Sequence, residues 1–250
     1  MTKQFGLIGF PLSHSFSKKY FADKFAAEAI TDTAYDNFPI SDIKMLPDLL
    51  KQHPNLIGLN VTIPYKEVVI PYLDKLAPDA EAIHAVNTIL VHQNGHCHGF
   101  NSDIYGFDRS LSDLLPDGYD GGALILGSGG ASKAVRYVCR QRGIPYLVAS
   151  RKEGEGFIAY EAIDGALLAD YRLVVNTTPL GMHPEVEQAP DLPYDVLDES
   201  NYLYDLIYNP AETRFLQLGS SKGCCVKNGL DMLVLQAERS WEIWNDPPMI

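Results

Sequence analysis

A glycine-rich turn between a strand and a helix is the sequence feature that most limits what this chain can fold into. The apolar run Ala123–Leu126 leads directly into the turn Gly127–Gly130, and a helical pattern with an apolar face continues to Arg142. Glycines at such a junction permit a tight turn and close approach of a ligand to the backbone, and a helix N-terminus attracts phosphate. A plain strand–turn–helix connection would look similar. The well-formed strand and helix on either side nevertheless favour a site for the diphosphate of a dinucleotide.

The end of the next predicted strand indicates which dinucleotide would bind. NAD-binding sheets usually carry an acid about 20 residues after the glycines, where it binds the ribose 2′-hydroxyl. Here the strand Tyr146–Ser150 is followed by the cations Arg151 and Lys152, which suit a 2′-phosphate. We therefore expect NADP in preference to NAD, although Glu153 and Glu155 reduce the positive charge nearby.

Alternating strand and helix patterns before the glycine-rich turn predict another sheet. Apolar runs at Phe5–Gly9, Ala34–Phe38 and Leu56–Val61 are separated by helical patterns, the second of which Ser41 would cap. Two further runs flank Asn94-Gly95 and predict an antiparallel hairpin, so this sheet should be mixed. After the turn, strand patterns recur at Tyr146–Ser150, Leu173–Asn176 and Leu203–Leu206. We expect an α/β fold with two domains, an N-terminal mixed-sheet domain and a Rossmann-like dinucleotide-binding domain.

Composition and charge exclude several classes of protein. The chain has 250 residues, of which 46% are hydrophobic and 21% charged, as in folded globular proteins. Its 20 basic and 32 acidic residues give a net charge of −12, so general nucleic-acid binding is not expected. No apolar stretch suits a membrane helix, and the first residues do not resemble a signal peptide. We expect a cytoplasmic protein without nucleic-acid or membrane partners.

The cysteines and histidines do not predict a metal site. Four cysteines are present: Cys97, Cys139, Cys224 and Cys225. They lack a CxxC spacing, and an adjacent pair is unusual in a disulfide framework, so we expect reduced thiols. His96 and His98 would share one strand face, but no carboxylate motif accompanies them, so no metal is predicted.

Two polar clusters lie at the ends of predicted strands, the first of them where an anionic group could be held, and a single acid, Asp103, lies apart from them. Ser13, Ser15 and Ser17 follow the first strand, where helix capping accounts for one hydroxyl but not for three. The segment Asn60–Lys66 ends the third strand with a lysine, which is ordinarily a solvated surface group. Asp103 opens a helical pattern, where the helix dipole also favours an acid.

The chain resembles the shikimate dehydrogenase family over essentially its whole length. Eight family motifs occur in order: SHSFS at 13–17, NVTIPYK at 60–66, AVNT at 85–88, GFNSD at 99–103, GSGGAS at 127–132, NTTPLGM at 176–182, YDLIYNP at 204–210, and a segment from Asn228-Gly229 to Gln236-Ala237. So many motifs in one order leave little room for coincidence.

The resemblance implies an activity, a division into domains and a set of site residues. The activity is the reversible reduction of 3-dehydroshikimate to shikimate with NADPH, a step of aromatic amino-acid biosynthesis. A substrate-binding catalytic domain would span residues 1–101, completed by a C-terminal helix at 229–250, and an NADP-binding domain would span 102–228. Lys66 and Asp103 would be catalytic. Substrate contacts would come from Ser15, Ser17, Thr62, Asn87, Tyr208 and Gln236. Cofactor contacts would come from Gly127, Ser128, Gly129, Gly130, Ala131, Ser150, Arg151, Lys152, Thr177 and Gly229.

The residue types suit this chemistry and leave the immediate proton donor open. Hydride transfer to a ketone leaves negative charge on its oxygen, so an acid must supply a proton, and Lys66 fits that role. Asp103 would orient the lysine and bind a hydroxyl. Two other interpretations stay open, a quinate/shikimate dehydrogenase that uses NAD and a nucleotide sensor without catalysis. We expect a monomer or a homodimer.

Overall fold

The computed structural model describes residues 2–12, 16–151 and 156–250. The chain divides into two compact units, Met1–Ser102 with Ala237–Ile250 (unit 1) and Asp103–Gln236 (unit 2). Each unit is built around one β-sheet. Within the described ranges, none of the helices has both the length and the apolar character needed to cross a membrane.

Unit 1 contains a mixed sheet. Its described strands are β1 (Lys3–Gly9), β2 (Thr33–Pro39), β3 (Leu56–Val61), β4 (Lys75–Leu76), β5 (Thr88–Val91) and β6 (Cys97–Phe100). Its helices include α1 (Phe16–Ala27), α2 (Leu46–Gln52) and α3 (Pro78–Ile83), with 3₁₀ turns at Ile43–Met45 and Ile70–Tyr72. The strand order is β2-β1-β3-β5-β6-β4. The β1–β2, β1–β3 and β4–β6 pairs are parallel, whereas β5 runs antiparallel to β3 and β6.

Aromatic rings fill the core of unit 1. Phe5 stacks on Trp244 with ring centroids 4.9 Å apart, and Phe21 stacks on Tyr35 at 4.5 Å. The Trp244 indole nitrogen donates a hydrogen bond to a carbonyl of β5 at 3.0 Å. A Cβ added at Gly58 would lie 2.2 Å from that nitrogen, so only glycine leaves room for the ring on β3.

Unit 2 contains a parallel sheet. Its described strands are β7 (Ala123–Leu126), β8 (Tyr146–Ala149), β9 (Phe157–Ile158), β10 (Leu173–Asn176), β11 (Tyr202–Asp205) and β12 (Cys225–Lys227). The remaining helices are α4 (Ser102–Ser112), α5 (Gly130–Gln141), α6 (Gly165–Asp170), α7 (Arg214–Ser220) and α8 (Leu230–Asn245), with 3₁₀ turns at Tyr160–Ala162 and Tyr194–Val196. The strand order β9-β8-β7-β10-β11-β12 is that of a Rossmann sheet, in which the direction of winding reverses between β7 and β10.

The four central strands of unit 2 end side by side. Ala149 is paired with Leu126, Leu126 with Asn176, and Asn176 with Asp205. Because these strands are parallel, the loops that follow them all leave the sheet at one edge. Ligands of such sheets bind outside this carboxyl edge, at the point where the strand order reverses.

The predicted fold class is confirmed, with one local correction. The first sheet is mixed and the second is Rossmann-like. The predicted hairpin is also present, since β5 and β6 are antiparallel and Gly95 has a φ of +84°. The expected Ser41 cap is wrong. Asp42, one residue nearer the helical turn, accepts a hydrogen bond from Lys44 N at 2.9 Å, and α2 itself begins only at Leu46.

A buried carboxylate ends β11. Asp205 Oδ1 accepts hydrogen bonds from Asn176 Nδ2 and Ile207 N, each at 3.0 Å, and Oδ2 accepts one from Thr213 Oγ1 at 2.6 Å. Burial raises the pKa of Asp205 from 3.8 to about 6, and these hydrogen bonds only partly oppose the rise. The folded chain therefore holds this proton more tightly than the unfolded chain does. Its contribution to stability is present below pH 4 and is lost as the pH rises through 6.

Replacing Asp205 by Asn should remove this pH dependence. We expect the free energy of unfolding of the wild-type protein to fall, relative to that of Asp205→Asn, by up to about 3 kcal/mol between pH 4 and pH 7. Urea denaturation followed by circular dichroism at several pH values measures the difference. Parallel pH profiles of the two proteins would show that the carboxyl titrates as it does in water.

Candidate active site

The glycine-rich turn of unit 2 lies where β7 and β10 meet. Gly127 follows β7 with a φ of +101°, a left-handed conformation that favours glycine. Thr177, directly after β10, donates from N and from Oγ1 to the Leu126 carbonyl, at 2.9 and 2.7 Å. A Cβ at Gly127 would lie 2.9 Å from Thr177 Oγ1. Glycine is therefore what allows the two loops to meet this closely.

The start of α5 has open space in front of it. Gly129, the N-cap residue, has an ordinary φ of −76°, and no side chain among the described residues caps the helix. A Cβ added at Gly129 or Gly130 would meet no described atom within 4 Å. Packing therefore does not require glycine at these two positions, whereas close approach of a diphosphate does. The N–H groups of the first turn, which includes Ala131, and the positive end of the helix dipole suit such a group.

A cavity of about 690 Å³ opens at the same edge of the sheet. Its lining includes Ser150 and Arg151 after β8 and residues 178–180 after β10. Ser150 Oγ lies 2.9 Å from Ser128 Oγ, which connects the cavity wall to the glycine-rich turn. Burial raises the pKa of Tyr160, another lining residue, and the Arg151 guanidinium opposes this rise.

The charges around this cavity have both signs. Arg151 is exposed, while the acids Glu161 and Asp191 also line the cavity. The arginine is therefore the group in this lining that can attract an anion. Lys152, which was predicted beside it, lies outside the described residues.

Polar residues of unit 1 gather at the carboxyl end of β3. Thr62 follows β3 directly, and its N–H donates to the carbonyl of Ile8 in β1 at 3.0 Å. Strand β5 is antiparallel to β3, with Thr88 opposite Asn60, so Asn87 precedes β5 at this same edge. The topology of the mixed sheet thus brings two predicted substrate-binding residues together.

Ser17 lies in the first turn of α1. It is buried, and its side chain is hydrogen-bonded to the phenol of Tyr35. Burial raises the pKa of Tyr35, and the bond with Ser17 opposes that rise. The Tyr35 hydroxyl donates in turn to Asn60 Oδ1 at 2.8 Å. Ser15, predicted to act with Ser17, lies outside the described residues.

A buried network fixes the amide of Asn87. Ser102 N donates to Asn87 Oδ1 at 2.6 Å, which determines which end of the amide carries the oxygen. The hydroxyls of Ser102, Thr88 and Ser240 lie 2.8 to 3.1 Å from one another. Asn60 Nδ2 donates to Ser240 Oγ at 2.9 Å. An inverted Asn87 amide would place its own N–H groups against Ser102 N–H, so its orientation is set before any ligand binds.

Lys66 lies on a segment whose backbone is held firmly. The buried side chain of Tyr65 donates to the Ile40 carbonyl at 2.6 Å. Val86 N donates to the Lys66 carbonyl at 2.7 Å, so Lys66 lies beside the segment that carries Asn87. Its side chain is half-buried. An ammonium group on such a firmly held segment can bind a hydroxyl or transfer a proton.

Asp103 lies on α4 and Gln236 on α8, and the unit 2 part of α8 approaches α4 closely. Gly106, one turn after Asp103 on α4, would place an added Cβ 2.5 Å from the Met232 carbonyl and 3.1 Å from Gln236 Cβ. Any larger residue at 106 would push α4 and α8 apart. Gln236 is itself buried, and its Nε2 donates to the Leu233 carbonyl at 3.1 Å.

The loop after β11 carries Tyr208 and packs against the start of α8. Tyr208 is 37% exposed. Gly229 N donates to the Ile207 carbonyl at 3.0 Å, and a Cβ at Gly229 would lie 2.1 Å from the Leu206 carbonyl oxygen. Contact within the fold therefore accounts for glycine at this position, in contrast to Gly129.

Several residues that hold the site residues in place were not predicted from the sequence. Ser102, Ser240 and Gly106 belong to this group. Two signals could have found them. Glycine inside the helical pattern of α4 indicates close packing. Ser240, on the apolar stripe of α8 that includes Ala237 and Trp244, indicates a buried hydrogen bond.

The described residues contain no group of three or more His, Cys, Asp or Glu side chains arranged to hold a metal ion. Two histidines of the hairpin, His92 and His98, lie close together, with Nε2 and Nδ1 3.0 Å apart. All four cysteines are free thiols, and only Cys225 is exposed.

Comparison with known proteins identifies the family. Residues 7–89 match the model of the shikimate dehydrogenase substrate binding domain. A shikimate dehydrogenase (NADP(+)) of Carboxydothermus hydrogenoformans is 38% identical, over 99% of this chain and 94% of its own length. The shikimate 5-dehydrogenase of Thermus thermophilus, solved in complex with NADP(H) and shikimate, has a TM-score of 0.85 and 31% identity, covering 97% of this chain and 93% of its own. The quinate dehydrogenase of Corynebacterium glutamicum, in complex with NAD, has a TM-score of 0.86 and 26% identity over 97% of this chain and 93% of its own. The chain belongs to the shikimate dehydrogenase family.

Proposed function

We propose that this protein catalyses the reversible NADPH-dependent reduction of 3-dehydroshikimate to shikimate. The observation that carries the proposal is near-full-length similarity to proteins named shikimate dehydrogenase (NADP(+)). Unit 1 serves as the substrate domain and unit 2 as the nucleotide domain. In this function the protein is an oxidoreductase acting on a CH–OH group, in aromatic amino-acid biosynthesis.

The residues of unit 2 are suited to hold the dinucleotide. NADPH supplies the hydride when it is bound. The turn Gly127–Ala131 receives the diphosphate, because Gly129 and Gly130 keep the space before α5 open. Ser150, Arg151 and Lys152 receive the 2′-phosphate. Thr177, which follows β10, positions the turn through its hydrogen bonds to the Leu126 carbonyl. Gly229 positions the loop after β11 through its hydrogen bond to the Ile207 carbonyl.

The polar residues of the family motifs have separate roles in binding the substrate. Ser15, Ser17 and Thr62 bind the carboxylate side. The ring hydroxyls are bound by Lys66, Asn87, Asp103 and Gln236, and Tyr208 borders the ring. Lys66 donates a proton to the ketone oxygen as that oxygen gains negative charge, and it accepts the proton in the reverse reaction. Asp103 accepts a hydrogen bond from a hydroxyl and is the second residue able to transfer a proton.

The proposal includes an oligomeric state, a cellular compartment and the partners of the protein. The protein works in the cytoplasm as a monomer or a homodimer, with shikimate and 3-dehydroshikimate as its small-molecule partners. Its net charge of −12 argues against a nucleic-acid partner.

One assay tests the proposed reaction and distinguishes it from the oxidation of quinate with NAD⁺. Absorbance of the reduced nicotinamide is followed with shikimate or quinate, each with NADP⁺ or NAD⁺. The proposal requires the highest kcat/KM for shikimate with NADP⁺. The similarity to a quinate dehydrogenase in complex with NAD favours quinate with NAD⁺ as the alternative, and a preference for that pair would replace the proposal. Nucleotide binding without turnover of any pair would indicate a sensor.

Lys66→Ala should lower kcat strongly. Proton transfer by a positioned group contributes on the order of 10²–10⁴-fold, so we expect a loss of that order with a smaller change in the KM of shikimate. Steady-state kinetics give both constants, and the exposed lysine variant Lys19→Ala is the control. Near-normal kcat with a raised KM would make Lys66 a substrate anchor and assign the proton to another group.

Arg151→Ala should weaken the binding of NADP⁺ much more than the binding of NAD⁺. A charged hydrogen bond contributes about 1.5–3 kcal/mol, so we expect KM for NADP⁺ to rise roughly 10- to 100-fold, while KM for NAD⁺ changes little. The carboxylates of Glu161 and Asp191 remain in the cavity wall, and without the arginine they disfavour the binding of an anion. The control is Arg172→Ala, which removes a cation that pairs with Asp120 at the amino end of β10. Equal losses for both cofactors would contradict the assignment.

Gly129→Ala should impair nucleotide binding without impairing folding. The added Cβ meets no described atom within 4 Å, so the melting temperature should stay within about 2 °C of the wild-type value. The methyl group occupies the space assigned to the diphosphate, so the Kd for NADP⁺ should rise by about tenfold or more. Calorimetry and thermal melting measure the two effects. Gly165→Ala, which makes an ordinary 3.5 Å contact with Val196, is the matched control, and unchanged affinity in Gly129→Ala would place the diphosphate elsewhere.

A further inference from the structure

The buried carboxylate of Asp205 holds a chain of hydrogen bonds that ends in the wall of the unit 2 cavity. Asn176 Nδ2 donates to Asp205 Oδ1 at 3.0 Å. Asn176 Oδ1 then accepts from Thr178 N at 3.0 Å and from Thr178 Oγ1 at 2.7 Å. Thr178 Oγ1 accepts from Leu180 N at 3.3 Å, and both Thr178 and Leu180 line the cavity.

The direction of these bonds lets Asp205 orient the loop, together with the Leu180 carbonyl, which accepts a longer bond from Asn176 Nδ2 at 3.4 Å. An amide has donors at one end and an acceptor at the other, so Asn176 could in principle adopt either orientation. A carboxylate accepts hydrogen bonds, so it requires the NH₂ end of Asn176 to face it. The carbonyl end then faces Thr178, where it meets two donors. Both Asn176 and Asp205 are fully buried, so water cannot replace either partner without cost.

Sheet stability alone does not explain an acid at this position. A buried carboxylate loses hydration, and apolar residues of similar volume are often as stable or more stable there. The Asp205 side chain bonds to the residue that ends β10, to its own loop and to Thr213 at the start of α7. These bonds orient the loops at the carboxyl edge, where a ligand of this sheet would bind.

We infer that Asp205 is a positioning residue of the nucleotide site, which sets the loop 177–180 through Asn176 and Thr178 so that it can form the wall against the adenosine half of the cofactor. The inference rests on the proposed function for the identity of the ligand. The ordering of the loop itself does not depend on that function. Asp205 acts through other residues and is not assigned a contact with the cofactor.

The experiment compares three variants of the full-length protein with a control. Asp205→Ala removes the acceptor. Asp205→Asn is the conservative variant, because its carbonyl can face Asn176 and Ile207 while its NH₂ group faces the Thr213 hydroxyl. Thr178→Val removes the hydroxyl at the far end of this series of hydrogen bonds. It tests the inference even if Asp205→Ala fails to fold. Thr213→Val is the control, because it breaks the other bond to Asp205 and the cap of α7 but leaves Asn176 and Thr178 untouched.

Hydrogen exchange, calorimetric titration, steady-state kinetics and thermal melting are measured for each variant. Hydrogen exchange of the protein without nucleotide should show the amides of Thr178 and Leu180 exchanging at least about tenfold faster in Asp205→Ala, and at near wild-type rates in Asp205→Asn and Thr213→Val. Thr178→Val should accelerate hydrogen exchange of the Leu180 amide. Calorimetric titration with NADP⁺ should give a Kd raised about tenfold in Asp205→Ala and in Thr178→Val, with the KM of shikimate changed less than about twofold.

The outcomes distinguish this inference from the proposed function. A loss of NADP⁺ affinity that follows the loss of melting temperature equally in Asp205→Ala and Thr213→Val would show that Asp205 is only structural, and would overturn the inference. Wild-type exchange rates in the loop of Asp205→Ala would overturn it as well. A wild-type protein that fails to bind NADP⁺ would refute the proposed function and the ligand named here, while faster loop exchange in Asp205→Ala would still support the orienting role.

Discussion

The two hydrogen bonds from Thr177 to the Leu126 carbonyl are the constraint on which the second unit depends. They join the last residue of β7 to the first residue after β10, the pair of strands between which the winding of the sheet reverses. This contact is possible only because Gly127 has no Cβ. Once the two strand ends are joined, the loops after β8 and β11 leave the same edge on either side, and the first turn of α5 lies at that edge with its N–H groups directed outward.

The two units fix their site residues by the same physical means. In unit 1 the amide of Asn87 is oriented by Ser102 N, and in unit 2 the amide of Asn176 is oriented by Asp205. Each amide lies at a strand end, is buried, and has a backbone or carboxylate partner that accepts only one orientation. A buried amide with a wrong partner costs about 1–3 kcal/mol, so the correct orientation dominates before a ligand arrives. The entropy of arranging these groups is lost during folding, which leaves more of the binding energy available to the ligand.

Sequence reasoning recovered the long, regular elements and the motifs, and missed what depends on three-dimensional contacts. The bounds Leu56–Val61, Ala123–Leu126 and Leu173–Asn176 agree with β3, β7 and β10, because buried strands are short apolar runs between turns. Strands of two or three residues such as β4 and β12 carry too little pattern to be found. The cap is Asp42 and not the predicted Ser41, because the sequence does not define where the first turn begins.

The same distinction holds for the site. Glycines at 127, 129 and 130 are equivalent in the sequence, yet only the first is required by the fold, and the open space at Gly129 and Gly130 becomes visible only in three dimensions. Gly229 was grouped with them as a cofactor residue, whereas its contact with the Leu206 carbonyl supplies a reason within the fold. Asp205 carried no signal of its own, because an acid at a strand end is indistinguishable in sequence from a surface acid until its burial is known.

The charge of the protein bears on how such a site would select its ligand. A dinucleotide phosphate is an anion, and a chain with a net charge of −12 repels anions at long range. At physiological salt, interactions between exposed charges are screened beyond about 8–10 Å, so groups near the ligand decide the outcome. Near the cavity these are Arg151 and the N-terminus of α5, with Glu161 and Asp191 opposing them. A small anion that fits the cavity can contact Arg151 and the N-terminus of α5, both of which favour its binding. A long polyanion would extend beyond the cavity, and a chain with a net charge of −12 provides no summed positive field to replace its counterions. A net negative charge together with a cation in the cavity wall therefore favours a dinucleotide over nucleic acid, even though both present the same phosphate group.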